Sequence, residues 1–275
     1  MIQDYLIYLT NIRGYSARTV EAYEVDLKDF ATWLKLNKND ARWSTVTRDD
    51  IDSYVITLAD AGYKPATTNR RLSAISSFYN YLRRRGYNVN NPTYYESRRK
   101  IPKTLPKTID TTELQQAYIN AIGVAQVVIG ILATTGIRIS EMCSIQIEDI
   151  NFNDSSIRIK GKGYKERLVY TTPEILTPIY IIRNAIKQDE PVFRMSPRYY
   201  RHVVYNALKP YCHSKQLSPH AIRHTFATNL AEEGINVAVI SRILGHNKLD
   251  STQHYIDHAA YNLRPLYEKY SLLNK

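Results

Sequence analysis

The sequence predicts a mainly α-helical protein of two domains, with one small antiparallel β-sheet in the second domain. Apolar residues recur every three or four positions through most of the first half, which is the spacing of amphipathic helices. Residues alternate around a glycine-bearing turn at 157–170, as they do in a β-hairpin. Three prolines and a basic run between residues 90 and 107 are typical of an interdomain linker.

The first half contains four apolar stripes, which predict four helices that share one core. Ser16 and Thr47 precede the second and third stripes as N-caps, because their side-chain oxygens can accept hydrogen bonds from first-turn amides. Gly14, Gly62 and Gly86 end the first, third and fourth helices. The stripes consist of Tyr5, Leu6, Leu9 and Ile12; Val20, Tyr23, Leu27, Phe30 and Leu34; Ile51, Tyr54, Val55 and Leu58; and Leu72, Ile75, Tyr79 and Leu82.

We assign residues 1–89 to an N-terminal domain, 90–107 to a basic linker and 108–275 to a C-terminal domain, since 275 residues suffice for two modest domains. The formal net charge is +11, and eight basic residues against one acid lie between Arg83 and Lys107. Such an excess favours a polyanionic partner through counterion release. A basic surface that serves only solubility is the alternative, and the concentration of charge in one stretch argues against it.

Glycine and proline mark the helix boundaries of the second domain. Gly136 and Gly245 follow apolar helical segments and are expected to be C-terminal caps. Ser218–Pro219 predicts a helix start, because serine can cap and proline suits the first helical position. Thr177–Pro178 and Ser196–Pro197 are interpreted as two further helix starts. Residues 261–275 have the pattern of a terminal amphipathic helix.

The composition predicts neither a metal ion nor another cofactor. Cys143 and Cys212 do not suggest a disulfide framework, and no Cys/His spacing fits zinc. No apolar segment resembles a signal peptide or is long enough to cross a bilayer, so we expect a cytoplasmic protein with no membrane partner. The chain has 23 tyrosines, so only its position can mark one of them as catalytic.

One set of side chains is suited to phosphodiester chemistry. His220 and Arg223 are three residues apart at a predicted helix start, where they share a face and where free amides and the helix dipole favour an anion. Two arginines, a lysine, two histidines and a tyrosine together can hold a phosphodiester, attack it with a phenolic oxygen and protonate the leaving alcohol. The six residues are Arg138, Lys162, His220, Arg223, His246 and Tyr255.

These residues lie in motifs that resemble the tyrosine recombinase (phage integrase) family, most closely its short Xer-type members. Residues 14–34 and 68–92 are similar to the start and the last helix of that family's core-binding domain. The resemblance implies a SAM-like N-terminal core-binding domain and a C-terminal catalytic domain of the DNA breaking-rejoining fold. Asn229 and Ile137 depart from the family pattern without touching a proposed catalytic group. The matching motifs are Thr135–Glu141, Gly161–Arg167, His220–Thr228, Leu244–His246 and Tyr255.

The resemblance implies site-specific recombination through a covalent 3′-phosphotyrosyl intermediate and a Holliday junction, without ATP or metal. Tyr255 is the expected nucleophile, and Lys162 the expected general acid, with Lys160 and Lys165 as competitors. Arg138, Arg223 and His220 are expected to bind the phosphate, and Glu141 to hold an arginine. Either His246 or His220 accepts the phenolic proton, and the sequence leaves this choice open. Contacts to the DNA backbone are expected from Arg70, Arg71, Arg98, Arg99 and Lys100.

The expected partner is double-stranded DNA carrying recombination sites. The resemblance implies a homotetramer on DNA and a monomer in solution, located in the cytoplasm with the nucleoid, with an accessory protein or translocase as a further partner. Dimer resolution and mobile-element integration or excision remain open as biological roles. The alternatives are type IB topoisomerase-like DNA relaxation and a non-catalytic DNA-binding regulator. The separate N-terminal domain argues against the first, and the complete set of catalytic residue types argues against the second.

Overall fold

The computed structural model describes residues 1–93, 98–101, 107–161, 166–187 and 189–245 of the 275-residue chain. The chain divides into two compact units, Met1–Lys103 and Thr104–Lys275. Helices dominate both units and the second contains a small antiparallel sheet, so the predicted fold class is confirmed.

The first unit contains the four predicted helices, and Ser16 and Thr47 are the N-caps of the second and third, as predicted. Oγ of Ser16 accepts a hydrogen bond from the Thr19 amide at 3.3 Å, while Thr47 and Asp50 form a reciprocal capping box. The helices are α1 (Ile2–Asn11), α2 (Ala17–Asn37), α3 (Arg48–Asp60) and α4 (Pro65–Arg84).

Aromatic rings fill much of the interior of the first unit. Trp43, on a short 3₁₀ segment between α2 and α3, lies edge-on to Phe78 with 4.8 Å between ring centroids. Phe30 packs against Tyr54 at 4.9 Å and stacks on Trp33. Rings of this size contribute large buried areas. Residues of all four stripes share one core, but Ile12 lies just past the end of α1 and is 72% exposed, so its predicted place in the core is wrong. Both tryptophans of the chain lie in this unit.

Helix α6 is central to the described part of the second unit, where it packs against α5, α8, α9 and α10. Its apolar residues are buried nearly all round, which a central helix requires. The helices of this unit are α5 (Thr111–Asn120), α6 (Val124–Thr135), α7 (Ile139–Met142), α8 (Pro173–Ile182), α9 (Pro197–Leu208), α10 (Pro219–Glu232) and α11 (Val237–Leu244).

The predicted hairpin forms part of a three-stranded antiparallel sheet. Its strands are β1 (Ile150–Asn151), β2 (Ser156–Lys160) and β3 (Glu166–Tyr170), in the order β1-β2-β3. Ile157 pairs with Val169. Both side chains are buried in the main core of the unit, so one face of the sheet packs inward.

One predicted helix start is wrong. Ser196–Pro197 and Ser218–Pro219 begin α9 and α10, and each serine hydroxyl accepts an amide hydrogen bond. Thr177–Pro178 instead lies inside α8, which begins at Pro173 after Thr172. Proline inside a helix loses one backbone hydrogen bond. Burial of apolar residues of α8 on both sides of Pro178 outweighs this loss.

Several other features of the described ranges bear on function. None of their helices is both long and apolar enough to cross a membrane. These ranges also bring together no group of three His, Cys, Asp or Glu side chains that could bind a metal. Cys143 and Cys212 are free thiols, and burial raises the pKa of each to about 11, so both are poor nucleophiles at neutral pH.

Candidate active site

A tight turn between two helices presents Arg138. α6 ends at Gly136, whose φ of +61° lies in the left-handed region, and Arg138 is the N-cap of the short helix α7. A β-carbon at position 136 would overlap the ring of Phe226, so the turn requires glycine for space as well as for backbone angle. The Arg138 side chain is 37% exposed, while its neighbour Ile137 is fully buried.

Glu141 holds Arg138 from one turn further along α7. Its carboxylate accepts hydrogen bonds from the Arg138 amide at 2.9 Å and from Arg138 Nη1 at 2.8 Å. It also accepts a hydrogen bond from Nη2 of Arg167, on β3, at 2.8 Å. Burial disfavours the carboxylate charge, but the hydrogen bonds from Arg167 and Arg138 outweigh burial and lower the pKa of Glu141. Glu141 is therefore ionised at neutral pH and bridges two arginines.

Arg223 lies on α10 and is only 4% exposed. Its Nη1 donates to the Gly136 carbonyl at 2.7 Å, and its Nη2 donates to the Leu244 carbonyl at 2.8 Å. The two bonds join the turn before Arg138 to the end of α11, and they fix the plane of the guanidinium. A cation held in one orientation by the fold needs little reorganisation when an anion arrives.

His220 lies on the first turn of α10, one turn before Arg223, and its side chain is exposed. Partial desolvation lowers the pKa of His220, and the charges of Arg223, Arg201 and Arg138 lower it further. The imidazole is therefore mainly neutral at pH 7, with guanidinium groups from three helices close enough to act on it. Burial and His220 in turn lower the pKa of His224, on the next turn.

The β2–β3 hairpin brings a lysine, Lys160, to the same region. Lys160, at the end of β2, lies with Gly161 along an open cleft that is also lined by Arg138, Glu141 and Arg167. Nζ of Lys160 is 3.1 Å from Asp149 Oδ1, and this hydrogen bond raises the pKa of the lysine. Lys160 is thus paired with a carboxylate, which weakens it as a proton donor.

Three of the six predicted catalytic residues, Lys162, His246 and Tyr255, lie outside the described residues, as does the competitor Lys165. Chain connectivity still relates two of them to the site. Lys162 follows Gly161 at the end of β2, and His246 follows Gly245 at the end of α11. The structure therefore brings together Arg138, His220 and Arg223, with Glu141 bonded to the first of them.

The two predicted DNA contacts on α4 differ in their surroundings. Arg71 is 7% exposed, donates to the Tyr54 hydroxyl at 3.1 Å and pairs with Asp29 at 2.9 Å. These contacts favour a structural role for Arg71 within the first unit. Arg70 is 44% exposed and is paired with the fully buried carboxylate of Asp26, so it lies at the surface and remains a candidate for DNA contact.

The basic run of the linker lies against the first unit. The side chain of Asn69 on α4 accepts a hydrogen bond from the Arg99 amide at 2.9 Å and donates to the Arg99 carbonyl at 2.8 Å. Nη1 of Arg99 donates to the Tyr63 carbonyl at 2.7 Å. Arg98 and Lys100, on either side, are exposed. Asn69 therefore fixes the backbone between two side chains that point to solvent.

Two arginines near the site were missed by the sequence reasoning. Arg201 on α9 is exposed and close enough to His220 to affect its pKa. Arg167 bonds to Glu141 from β3. Only the position of Arg167 at the end of the motif Gly161–Arg167 could have drawn attention to it, and no local pattern distinguishes Arg201 from other surface arginines.

Comparison with known proteins relates both units to one family. Residues 103–261 match the phage integrase family, and residues 2–86 match the phage integrase N-terminal SAM-like domain. Tyrosine recombinase XerD of Proteus mirabilis is 29% identical over 294 residues, which cover 98% of this chain and 92% of that protein. Tyrosine recombinase XerC of Myxococcus xanthus is 32% identical over 292 residues, covering 98% and 96%.

Solved structures share the fold. The XerH site-specific recombinase bound to a palindromic difH substrate, in a post-cleavage complex, has a TM-score of 0.74 at 18% identity and covers 96% of this chain and 82% of its own. The Tn1549 transposon integrase in complex with transposon right end DNA has a TM-score of 0.71 at 18% identity, covering 98% and 99%. Since the family model spans more than half of the chain and XerC aligns over nearly all of it, this protein belongs to the phage integrase family of tyrosine recombinases.

Proposed function

We propose that this chain is a site-specific recombinase that cuts and rejoins double-stranded DNA through Tyr255, without ATP or a metal ion. One observation carries the proposal: Arg138 lies more than 80 residues before His220 and Arg223 in the sequence, yet the three side chains converge where Glu141 and backbone carbonyls hold the arginines. Relatives named tyrosine recombinase, aligned over nearly the whole chain, support it.

The convergent side chains would bind the phosphodiester that is cut. Negative charge accumulates on the non-bridging oxygens as a nucleophile attacks, and the guanidinium groups of Arg138 and Arg223 offset it. His220 adds a hydrogen bond to the same group from the first turn of α10. The amino-terminal end of that helix also favours an anion. Each cation thus lies where charge grows during the reaction.

Tyr255 would be the nucleophile. Its phenolic oxygen forms a bond to the phosphorus, and the bond from phosphorus to the 5′ oxygen breaks, leaving the enzyme on the 3′ phosphate. Lys162 transfers a proton to the departing 5′ oxygen, and a histidine accepts the proton of the phenol. Because the new bond is again a phosphodiester, attack by a 5′ hydroxyl reverses the step and reseals the strand.

We assign acceptance of the phenolic proton to His220. Desolvation and nearby arginines lower its pKa, so it is mainly the neutral base at pH 7. An imidazole in that form is able to take up a proton as the phenol attacks. His246 then has the role of a hydrogen-bond donor to the phosphate.

On DNA, the chain would act as a homotetramer that joins two sites and exchanges strands in pairs through a Holliday junction, and it would be a monomer when free. It would work in the cytoplasm at the nucleoid, with an accessory protein or translocase as regulator. Resolution of chromosome or plasmid dimers is the first candidate role, because the chain resembles Xer-type recombinases. Integration or excision of a mobile element is the second.

The test of this function is covalent trapping. Nicked suicide duplexes, prepared from a genomic library, are incubated with wild type, with Tyr255→Phe and with Tyr261→Phe as a matched control. The expected result is a denaturation-resistant protein–DNA adduct with wild type and with the control, and none with Tyr255→Phe. Sequencing the trapped DNA then identifies the site. An adduct that persists in Tyr255→Phe would refute the assignment of the nucleophile.

The role of Lys162 needs a chemical test of its own. Sulfur at the bridging 5′ position makes a leaving group that needs little protonation. Lys162→Ala should therefore cut this substrate at close to the wild-type rate while failing on ordinary DNA, whereas Lys160→Ala should cut both. If Lys162→Ala fails on both substrates, either the general acid is another residue or Lys162 has a structural role.

A further inference from the structure

Three arginines from three segments hold the end of α11. Nε of Arg167 donates to the Ile243 carbonyl at 2.8 Å. Arg223 and Arg138 donate to the next two carbonyls, at 2.8 and 3.5 Å. The last carbonyls of a helix lack partners within it and carry the negative end of its dipole, so cations stabilise them. Residue 246, the predicted catalytic histidine, follows directly.

Arg167 bonds to a carboxylate of the site as well as to α11. Besides Ile243, its guanidinium forks onto Glu141, with Nη1 to Oε1 at 3.3 Å and Nη2 to Oε2 at 2.8 Å. Its side chain is 12% exposed. Planar two-point pairing with a carboxylate fixes the orientation of an arginine as well as its position. One side chain on β3 thereby bridges the hairpin, α7 and the end of α11.

The backbone of Gly245 is fitted to this guanidinium. Its φ of +65° is left-handed, and a β-carbon there would lie 2.6 Å from Nη1 and 2.9 Å from Cζ of Arg167. Those distances are too short for a side chain at residue 245. A side chain at residue 245 would therefore displace the Arg167 guanidinium, in addition to straining the left-handed backbone angle that ends the helix.

We infer that Arg167 is a positioning residue of the active site. It fixes the end of α11, from which the sequence continues to His246 and Tyr255, against β3, which follows Lys162 in the sequence. The inference rests on the proposed function for the roles of those three residues. Arg167 contacts neither the DNA nor the reacting atoms in this role and acts through Glu141 and the Ile243 carbonyl. Misplacement of a reacting group by about 1 Å can slow a reaction about a hundredfold.

The kinetic test compares Arg167→Lys and Arg167→Gln with Arg158→Gln. Lysine keeps the charge but cannot span both Glu141 oxygens and the Ile243 carbonyl. Arg158 is the matched control, since it lies on the neighbouring strand and pairs with buried Asp149 at 2.9 Å. Single-turnover adduct formation should slow about tenfold in the lysine variant and about a hundredfold in the glutamine variant, with DNA affinity unchanged within about twofold. Rates equal to that of the control would overturn the inference.

Hydrogen–deuterium exchange of the free protein tests the contact without any activity. Amides of α11 should exchange several-fold faster in Arg167→Gln than in wild type or Arg158→Gln, while those of α5 stay unchanged. If α11 exchanges equally fast in all three proteins, Arg167 does not hold the end of α11, whether or not the protein cuts DNA. Faster exchange with normal cleavage would overturn the positioning role. If wild type forms no adduct, the proposed function fails. The exchange data then still show whether Arg167 holds the end of α11.

Gly245→Ala provides a coupling test. In the wild-type background the added methyl strains the left-handed backbone and also clashes with the Arg167 guanidinium. In Arg167→Gln only the cost of the backbone angle remains. Contacting residues give non-additive effects, so the two substitutions should together accelerate α11 exchange less than the product of their separate factors. Independent effects would mean that Gly245 and Arg167 do not form one unit.

Discussion

Replacing Glu141 with glutamine tests how much the arginine network contributes to the fold. Glutamine keeps the shape of glutamate but turns one acceptor oxygen into a donor that faces two guanidinium groups. Breaking a buried ion pair by removing one partner costs about 3–5 kcal/mol. The Arg138 side chain is 37% exposed and can be rehydrated. We therefore expect the lower end of the range, about 3 kcal/mol of unfolding free energy.

Urea unfolding with two probes measures this loss. Since both tryptophans lie in the first unit, tryptophan fluorescence reports on that unit, whereas far-UV circular dichroism reports on both. For a slope of about 2 kcal/mol per M urea, a loss of 3 kcal/mol lowers the midpoint of the second unit by about 1.5 M. The fluorescence midpoint should not move. Glu148→Gln, which removes a 46% exposed carboxylate, should leave both midpoints nearly unchanged.

The pH dependence of the stability difference between wild type and Glu141→Gln can refute this reasoning. Arg167 and Arg138 lower the pKa of Glu141 in the folded state, so the folded carboxylate binds its proton less readily than the unfolded one. The stabilisation is therefore complete above pH 4.5, the ordinary value, and is lost as pH falls through the lowered pKa. A difference between wild type and Glu141→Gln that is absent at pH 7, or that persists in acid, would refute the reasoning.

Three further outcomes are expected. Arg71→Gln should lower the urea midpoint seen by tryptophan fluorescence, because it breaks buried contacts, whereas Arg98→Gln should leave it unchanged and reduce the salt dependence of DNA binding by about one unit of slope. Asn69→Ala should weaken DNA binding several-fold in a filter or anisotropy assay without changing cleavage chemistry, since it frees the basic run from α4. The unfolding free energy should rise with pH up to about 6.5, because burial lowers the pKa of His224 in the folded state, and His224→Gln should reduce that slope in urea titrations.

Local chemistry predicted much of the fold. Ser16, Thr47 and Ser218 cap helices because a hydroxyl one residue before a helix can accept a hydrogen bond from a first-turn amide. Gly136 and Gly245 adopt the left-handed angles expected of helix ends. The helix start predicted at Thr177–Pro178 was wrong because α8 begins earlier, at Pro173. Burial of apolar residues of α8 offsets the cost of Pro178 inside the helix.

The candidate site was predictable only in part, because its supports are tertiary. Residue type and motif order selected Arg138, His220 and Arg223. Nothing in the sequence indicates that Arg223 bonds to two backbone carbonyls or that Arg167 reaches Glu141. Arg71 was expected at the DNA because it lies off the apolar stripe of α4. Off-stripe position does not exclude burial where two adjacent helices supply partners, here the Asp29 carboxylate from α2 and the Tyr54 phenol from α3.

The attachment of Arg223 to two helix ends changes how kinetic data on its variants should be interpreted. Under the proposed function, a substitution there removes a cation from the phosphate and, at the same time, releases the carbonyls of Gly136 and Leu244. The measured loss of rate then combines lost transition-state stabilisation with reorganisation of these two helix ends. A small change in rate would place an upper limit on both contributions, whereas a large one would assign neither. With the role proposed for Arg223, one guanidinium group both supports the fold and stabilises the transition state, so the free energy of folding and the barrier to DNA cleavage are not independent quantities.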